Sequence, residues 1–173
     1  MCQKVLFCVR KWENTFPTLN MSFHGQYNST IDTKGRFLLP AGLRKQLPEG
    51  ETRFMINRGF EKCITFYTIN EWDVLVAKLS QLNEFDAKAR MFRKIFMGGA
   101  IEVELDSAGR MLIPQFLKDH AGLKKDIVLT ADINKFEIWD EDGYKQYINQ
   151  LSDDAFSALA NEVMGNLSSN NNI

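Results

Sequence analysis

Two short blocks of this sequence carry residue types that could do chemistry. Asp32-Thr33-Lys34-Gly35-Arg36 and Asp106-Ser107-Ala108-Gly109-Arg110 each set a carboxylate four residues before a guanidinium, with a glycine between. A guanidinium is a planar fork that matches phosphate oxygens, or the O6/N7 edge of guanine, in a bidentate way. Paired carboxylates could instead share one proton in an acid–base site. An Arg directly after each Gly opposes that, because it favours both ionised forms. A third role is purely structural: each Arg pairs with the Asp four positions earlier and pins a turn. Asp32 and Asp106 read as turn-structuring residues, and Gly35 and Gly109 as backbone devices.

The elements that must hold these blocks are repeated with them. Residues 25–44 align without a gap on residues 99–118, an offset of 74. Identities include Asp32/Asp106, Gly35/Gly109, Arg36/Arg110, Leu38/Leu112, Pro40/Pro114 and Leu43/Leu117. A duplicated unit of this length is close to the lower limit for folding alone, so the two copies are expected to share a core. In each copy an alternating strand comes first: Tyr27, Ser29 and Ile31, or Ile101, Val103 and Leu105. The Asp-x-x-Gly-Arg turn follows, then a short apolar strand, 37–39 or 111–113. Pro40 and Pro114 open short helices over 40–47 and 114–121, the second stopped by Gly122. A hairpin then turns at Asn57-Arg58-Gly59, or at Asp132-Ile133-Asn134. A closing helix ends each copy, the first capped by Asn70 and the second over 141–151.

The spacing divides the chain into an extension (1–20) outside the fold, a first module (21–80), a linking helix (81–98), a second module (99–152) and a flexible tail (153–173). Met21 opens the regular pattern and is a candidate start in its own right. The linking helix combines an apolar stripe (Met91, Phe92, Ile95, Phe96) with Lys88, Arg90, Arg93 and Lys94, a pattern that favours packing against core or subunit.

Composition narrows the function. The chain has 173 residues, 45% hydrophobic and 25% charged, with net charge −1, so nucleic-acid binding must rest on a local patch. Cys2, Cys8 and Cys63 lack zinc-type spacing, and His24 and His120 are isolated. No metal, cofactor or small-molecule substrate is expected. The cysteine usage and the lack of an export signal or membrane span point to the cytoplasm. Trp72, Trp139 and Phe66 read as core.

Two Asp-x-x-Gly-Arg-x-x-x-Pro blocks in this setting, with Asn134-Lys135-Phe136-Glu137-Ile138-Trp139-Asp140 in the second hairpin, resemble the MraZ family. The resemblance covers Met21 to about Leu151. It implies an α+β, β-rich fold of two tandem AbrB/SpoVT-like swapped-hairpin modules, packed as an intrachain pseudo-dimer. It also implies a bacterial regulator, not an enzyme, of the division and cell-wall gene cluster. Such a protein binds short direct repeats in promoter DNA as a homo-oligomeric ring associated with the nucleoid. Aspartic proteases, with their paired Asp-Thr/Ser-Gly, are the weaker comparison, since here an extra residue precedes each Gly. An antitoxin of AbrB type is a further alternative, disfavoured by two modules and a short tail.

The DNA-binding candidates are Arg36 and Arg110, then Lys34, Arg44, Lys45 and Arg58. Cations crowd the first copy. The corresponding positions of the second include Ala108, Gln115, Lys118 and Asp126, so the first module is expected to face DNA more.

Overall fold

Alternation in the sequence becomes two edge strands in a computed structural model that describes residues 22–170. The expected extension (1–20) lies outside the described residues. Strand β1 (Gln26–Thr30) turns half-buried Tyr27 and Ser29 to one face, and β5 (Ile101–Glu104) does so with Val103. After each Asp-x-x-Gly-Arg turn comes a three-residue strand, β2 (Arg36–Leu38) or β6 (Arg110–Leu112). The short helices α1 (Ala41–Arg44) and α4 (Gln115–Ala121) start after Pro40 and Pro114. Helix α4 ends at Gly122, left-handed at φ 62°. Helix α1 is shorter than expected, because no such glycine closes it. The turn beyond it is tied down by Gln46, whose Oε1 accepts from His24 N at 2.9 Å.

The hairpins are β3 (Arg53–Arg58) with β4 (Ile64–Thr68), and β7 (Asp126–Asp132) with β8 (Lys135–Asp140). Helix α2 (Ile69–Ser80) closes the first copy and α5 (Glu141–Ile148) the second. Asn70 is not the cap of α2: Thr68 is, its hydroxyl accepting from Glu71 N, so the helix starts directly at the strand end. Helix α3 (Ala87–Gly99), capped by Asp86, links the copies.

The copies exchange strands. One antiparallel sheet runs β1-β7-β8-β4-β3-β5, so the first strand of each copy adds to the hairpin of the other. The register is reciprocal: Ser29 lies opposite Ile127 in one half, and Val103 opposite Phe54 in the other. Strands β2 and β6 form a separate ribbon, Arg36 opposite Leu112 and Leu38 opposite Arg110, with the pair Phe37–Met111 on its pseudo-two-fold axis. Backbone bonds repeat the symmetry, Leu39 N donating to Gly109 O and Ile113 N to Gly35 O. One core results. Phe37, Leu43, Phe54 and Phe66 pack with Met111, Leu117, Ile127 and Phe136, all at most 1% exposed. Trp72 and Trp139 are buried as well.

Beyond the second copy the structure departs from the expected flexible tail: Asp153–Asn170 form helix α6. Ala155, Ala158, Leu159 and Ala160 are strong helix formers, and Ser152 Oγ accepts from Ala155 N at its start. The apolar residues Phe156, Leu159 and Val163 on this helix are exposed. No helix among the described residues is long and apolar enough to cross a membrane.

Candidate nucleic-acid interface

The two turns are built on the same plan. In the first, Asp32 Oδ1 accepts from the backbone N–H of Lys34 and of Arg36, each at 2.9 Å. Its Oδ2 accepts from Arg36 Nε at 3.0 Å and Nη2 at 2.8 Å. In the second, Asp106 Oδ1 accepts from Ala108 N and Arg110 N, and Oδ2 accepts from Arg110 Nε at 2.8 Å with Arg110 Nη2 in ion-pair contact at 2.8 Å. Gly35 N and Gly109 N close the turns onto the carbonyls of the two aspartates. Gly35 and Gly109 sit at φ +80° and +74°, a region that costs an L-residue about 1–2 kcal/mol. The expected turn-structuring residues therefore have concrete partners.

The guanidiniums meet the structural role in full. Both pin their turns, while keeping 26% of the Arg36 side chain and 38% of the Arg110 side chain exposed. Arg36 also reaches across the axis, its Nη1 3.9 Å from Asp106 Oδ2. Asp32 is held below the ordinary 3.8 by the Arg36 backbone N–H first and by its guanidinium as well. Asp106 is lowered chiefly by the Arg110 guanidinium, then by the Arg110 backbone N–H. With Arg36 within reach of both, the two carboxylates favour two charges over one shared proton, which opposes a protease-like dyad.

Each turn also receives a cation from the other copy. Arg44 of α1 lies against Gly109 and donates from Nη2 to its carbonyl at 3.2 Å. Lys118 of α4, the counterpart of Arg44 in the repeat, lies against Gly35, where a Cβ would come within 2.9 Å of its Nζ. Sequence reasoning counted Arg44 with the first module and passed over Lys118. Applying the strand exchange to the 74-residue offset would have moved both. Lys34 is exposed at the tip of the first turn, where the second has exposed Ala108. Among the described residues, no ion pair takes up the ammonium of Lys34 or Lys118. The other two candidates fall elsewhere. Arg58 lies over the Phe116 ring at 5.8 Å and beside Gly99, away from either turn's bonds. Lys45 is exposed, with no contact that ties it to a turn.

Between the turns, the β2–β6 ribbon buries Phe37 and Met111 and alternates them with half-buried Arg36 and Arg110 and exposed Leu38 and Leu112. A two-stranded ribbon is one of the shapes that the DNA major groove admits. The strongest metal-type grouping lies elsewhere, where ligand atoms of Glu61, Cys63 and Glu137 fall within 4.8 Å of one another. Burial pushes the Cys63 thiol up to about 12, and Glu137 is already engaged by Lys135 at 2.6 Å and by Trp139 Nε1. That donor set suits a structural ion pair better than a metal.

Fold and turns together define the class: a swapped-hairpin pseudo-dimer of AbrB/SpoVT-like modules, with its two Asp-x-x-Gly-Arg turns joined through one ribbon. The MraZ protein family, described as antitoxin-like, matches the chain over residues 22–95 and again over 96–167. A protein of Christiangramia forsetii called transcriptional regulator MraZ is 44% identical over 144 residues, covering 82% of this chain and 92% of its own. Proteins of the same name from Cytophaga hutchinsonii and Flavobacterium psychrophilum are 42% and 40% identical, covering 82% and 83% of this chain and 94% and 92% of their own. The chain belongs to the MraZ family.

Proposed function

We propose that the protein is a sequence-specific transcriptional regulator that binds double-stranded promoter DNA through its paired turns. The observation that carries this reading is the β2–β6 pairing, which brings both turns and their cations onto one ribbon. Arg36, Arg110, Lys34 and Arg44 are the contact residues of the proposal, with Lys45 and Arg58 more peripheral. The targets are short direct repeats upstream of the division and cell-wall gene cluster, and the protein acts in the cytoplasm, on the nucleoid.

The chain acts as a repressor, by occlusion. Copies assemble into a ring that presents turns at regular spacing, and RNA polymerase is excluded from the covered promoter. Apolar side chains left open around the linking helix support assembly: Phe85, in the loop before α3, is 84% exposed, and Met91, on α3, 66%. Each phosphate contact is weak and salt-sensitive, and linked contacts on repeated sites raise the apparent affinity through effective concentration. A near-neutral chain can bind DNA in this way.

The test is a salt series with the duplex directly upstream of the protein's own gene, using wild type and Arg36→Ala. Wild-type affinity should fall linearly with log salt. Arg36→Ala should lose about 1–3 kcal/mol of binding, the worth of one good bidentate contact. Unchanged affinity would remove Arg36 from the contact set.

A further inference from the structure

We infer that Lys34, whose pseudo-symmetric counterpart is Ala108, sets the direction in which one chain sits on its DNA box. The inference deepens the DNA-binding reading above and rests on it. Duplex DNA has local two-fold axes relating its strands, which is why symmetric protein dimers take palindromic sites. The axis through Phe37 and Met111 gives this single chain nearly the same symmetry. A surface fully symmetric about that axis would fit a box equally well in either orientation. A regulator that reads direct repeats needs one orientation only.

The chain breaks its symmetry at few points near the turns. Positions 32, 35 and 36 are identical to 106, 109 and 110, and Thr33 is matched by Ser107. Within the five-residue turn, the one change of charge is Lys34 against Ala108. Both are exposed, so the difference faces solvent and whatever binds there. The cations lent by the other copy widen it. Lys118 at the first turn has no ion pair among the described residues, whereas Arg44 at the second donates to the Gly109 carbonyl. The first turn thus offers Lys34, Arg36 and Lys118 to phosphates, the second Arg110 and a tethered Arg44. Phosphates alone are alike on both flanks, so the choice is made where the flanks differ in groove shape: the more cationic turn takes the flank with the narrower, more negative groove, and the other turn falls on the opposite flank.

A tethered cutting probe tests this. Thr52 is exposed, and its carbonyl accepts from Leu105 N at the base of the second turn. Thr52→Cys in a Cys2→Ser/Cys8→Ser background would carry an iron chelate that cleaves DNA by hydroxyl radicals. Cys63 is fully buried and stays unlabelled. On the duplex upstream of the gene, the native turns should cut the same flank of every protected box. Exchanging the charge with Lys34→Ala/Ala108→Lys should move the cuts, wholly or in part, to the opposite flank. Ala108→Lys alone should give cuts on both flanks and serves if the exchange variant folds poorly. Lys34→Ala alone should lower the salt slope by about one. Equal cutting of both flanks by the native turns, or an unmoved flank after the exchange, overturns the inference. A probe protein with no footprint at all would instead sink the DNA-binding reading, and this inference with it.

Discussion

In the first turn one arginine touches two carboxylates; in the second it touches one. Arg36 bonds Asp32 at 2.8 Å and lies 3.9 Å from Asp106, while Arg110 pairs with Asp106 alone among the described residues. The borrowed cations differ in the opposite sense, since Arg44 is tied to the second turn and Lys118 rests on the first. Two turns with nearly the same sequence and nearly the same internal bonds are therefore not equivalent. Strand exchange makes each turn a joint product of both copies, so its properties follow from the partner copy as much as from its own residues.

The comparison breaks most severely if the two copies prove to be independent folding units. Phe37 and Met111 face each other on the axis, each no more than 1% exposed. Phe37→Ala should cost about 3–5 kcal/mol and Met111→Ala about 2–5 kcal/mol. Both variants should still unfold in a single transition, because one core serves both copies. Chemical denaturation followed by two probes would check it. A variant that unfolds in two steps, with one copy intact, would show that the halves are stable separately.

A smaller effect separates the two borrowed cations. An alanine at either turn glycine must adopt a left-handed φ, which costs about 1–2 kcal/mol. In Gly35→Ala the one tight approach of the new Cβ is to the Lys118 ammonium, the end of a flexible side chain that can swing away, while the Ile113 carbonyl at 3.6 Å is in ordinary contact. In Gly109→Ala it meets the Arg44 guanidinium, which must give up its bond to the Gly109 carbonyl. That lost bond adds about 1 kcal/mol. Denaturation midpoints at unchanged slope should therefore place Gly109→Ala below Gly35→Ala. Equal losses would mean that Arg44 is no better anchored than Lys118.

Much of this was legible in the sequence, because the repeat is ungapped where backbone geometry is strictest. The turn glycines, the prolines before the short helices and the alternating strands obey local rules, and each found its element. The pseudo-dimer was readable only through the family resemblance, because periodicity shows which face of a strand is buried but not which hairpin it joins. For the same reason Arg44 was counted with the wrong turn and Lys118 was passed over. Asn70 lost the cap to Thr68 because the strand ends directly in the helix, a boundary that propensity does not fix. The polar end of the sequence hid α6, where alanines outweigh the serines and asparagines that follow. At Arg36 the sequence offered pinning and outward presentation as rivals, whereas one partly exposed guanidinium does the first and remains available for the second.

The finest distinction between the turns lies in their carboxylates, and pH can resolve it. Asp32 and Asp106 both titrate below the ordinary 3.8 in the folded chain. A depressed carboxylate stabilises the fold above its unfolded value, and that contribution fades as pH falls through the folded value. Asp32→Asn and Asp106→Asn should each lower the melting temperature at neutral pH. The gap to wild type should close as pH drops below 3.8 and protonation removes the charges that the variants lack. The two should not be equal. When Asp32 is replaced, Arg36 still has Asp106 within reach, so part of its pairing can be recovered. When Asp106 is replaced, Arg110 has no second carboxylate among the described residues, and Arg36 loses its link across the axis. Asp106→Asn should therefore show the larger neutral-pH loss and the steeper convergence in acid. A larger loss for Asp32→Asn would mean that the 3.9 Å approach of Arg36 to Asp106 carries no stabilisation, and the bridge between the copies would rest on the ribbon and the shared core alone.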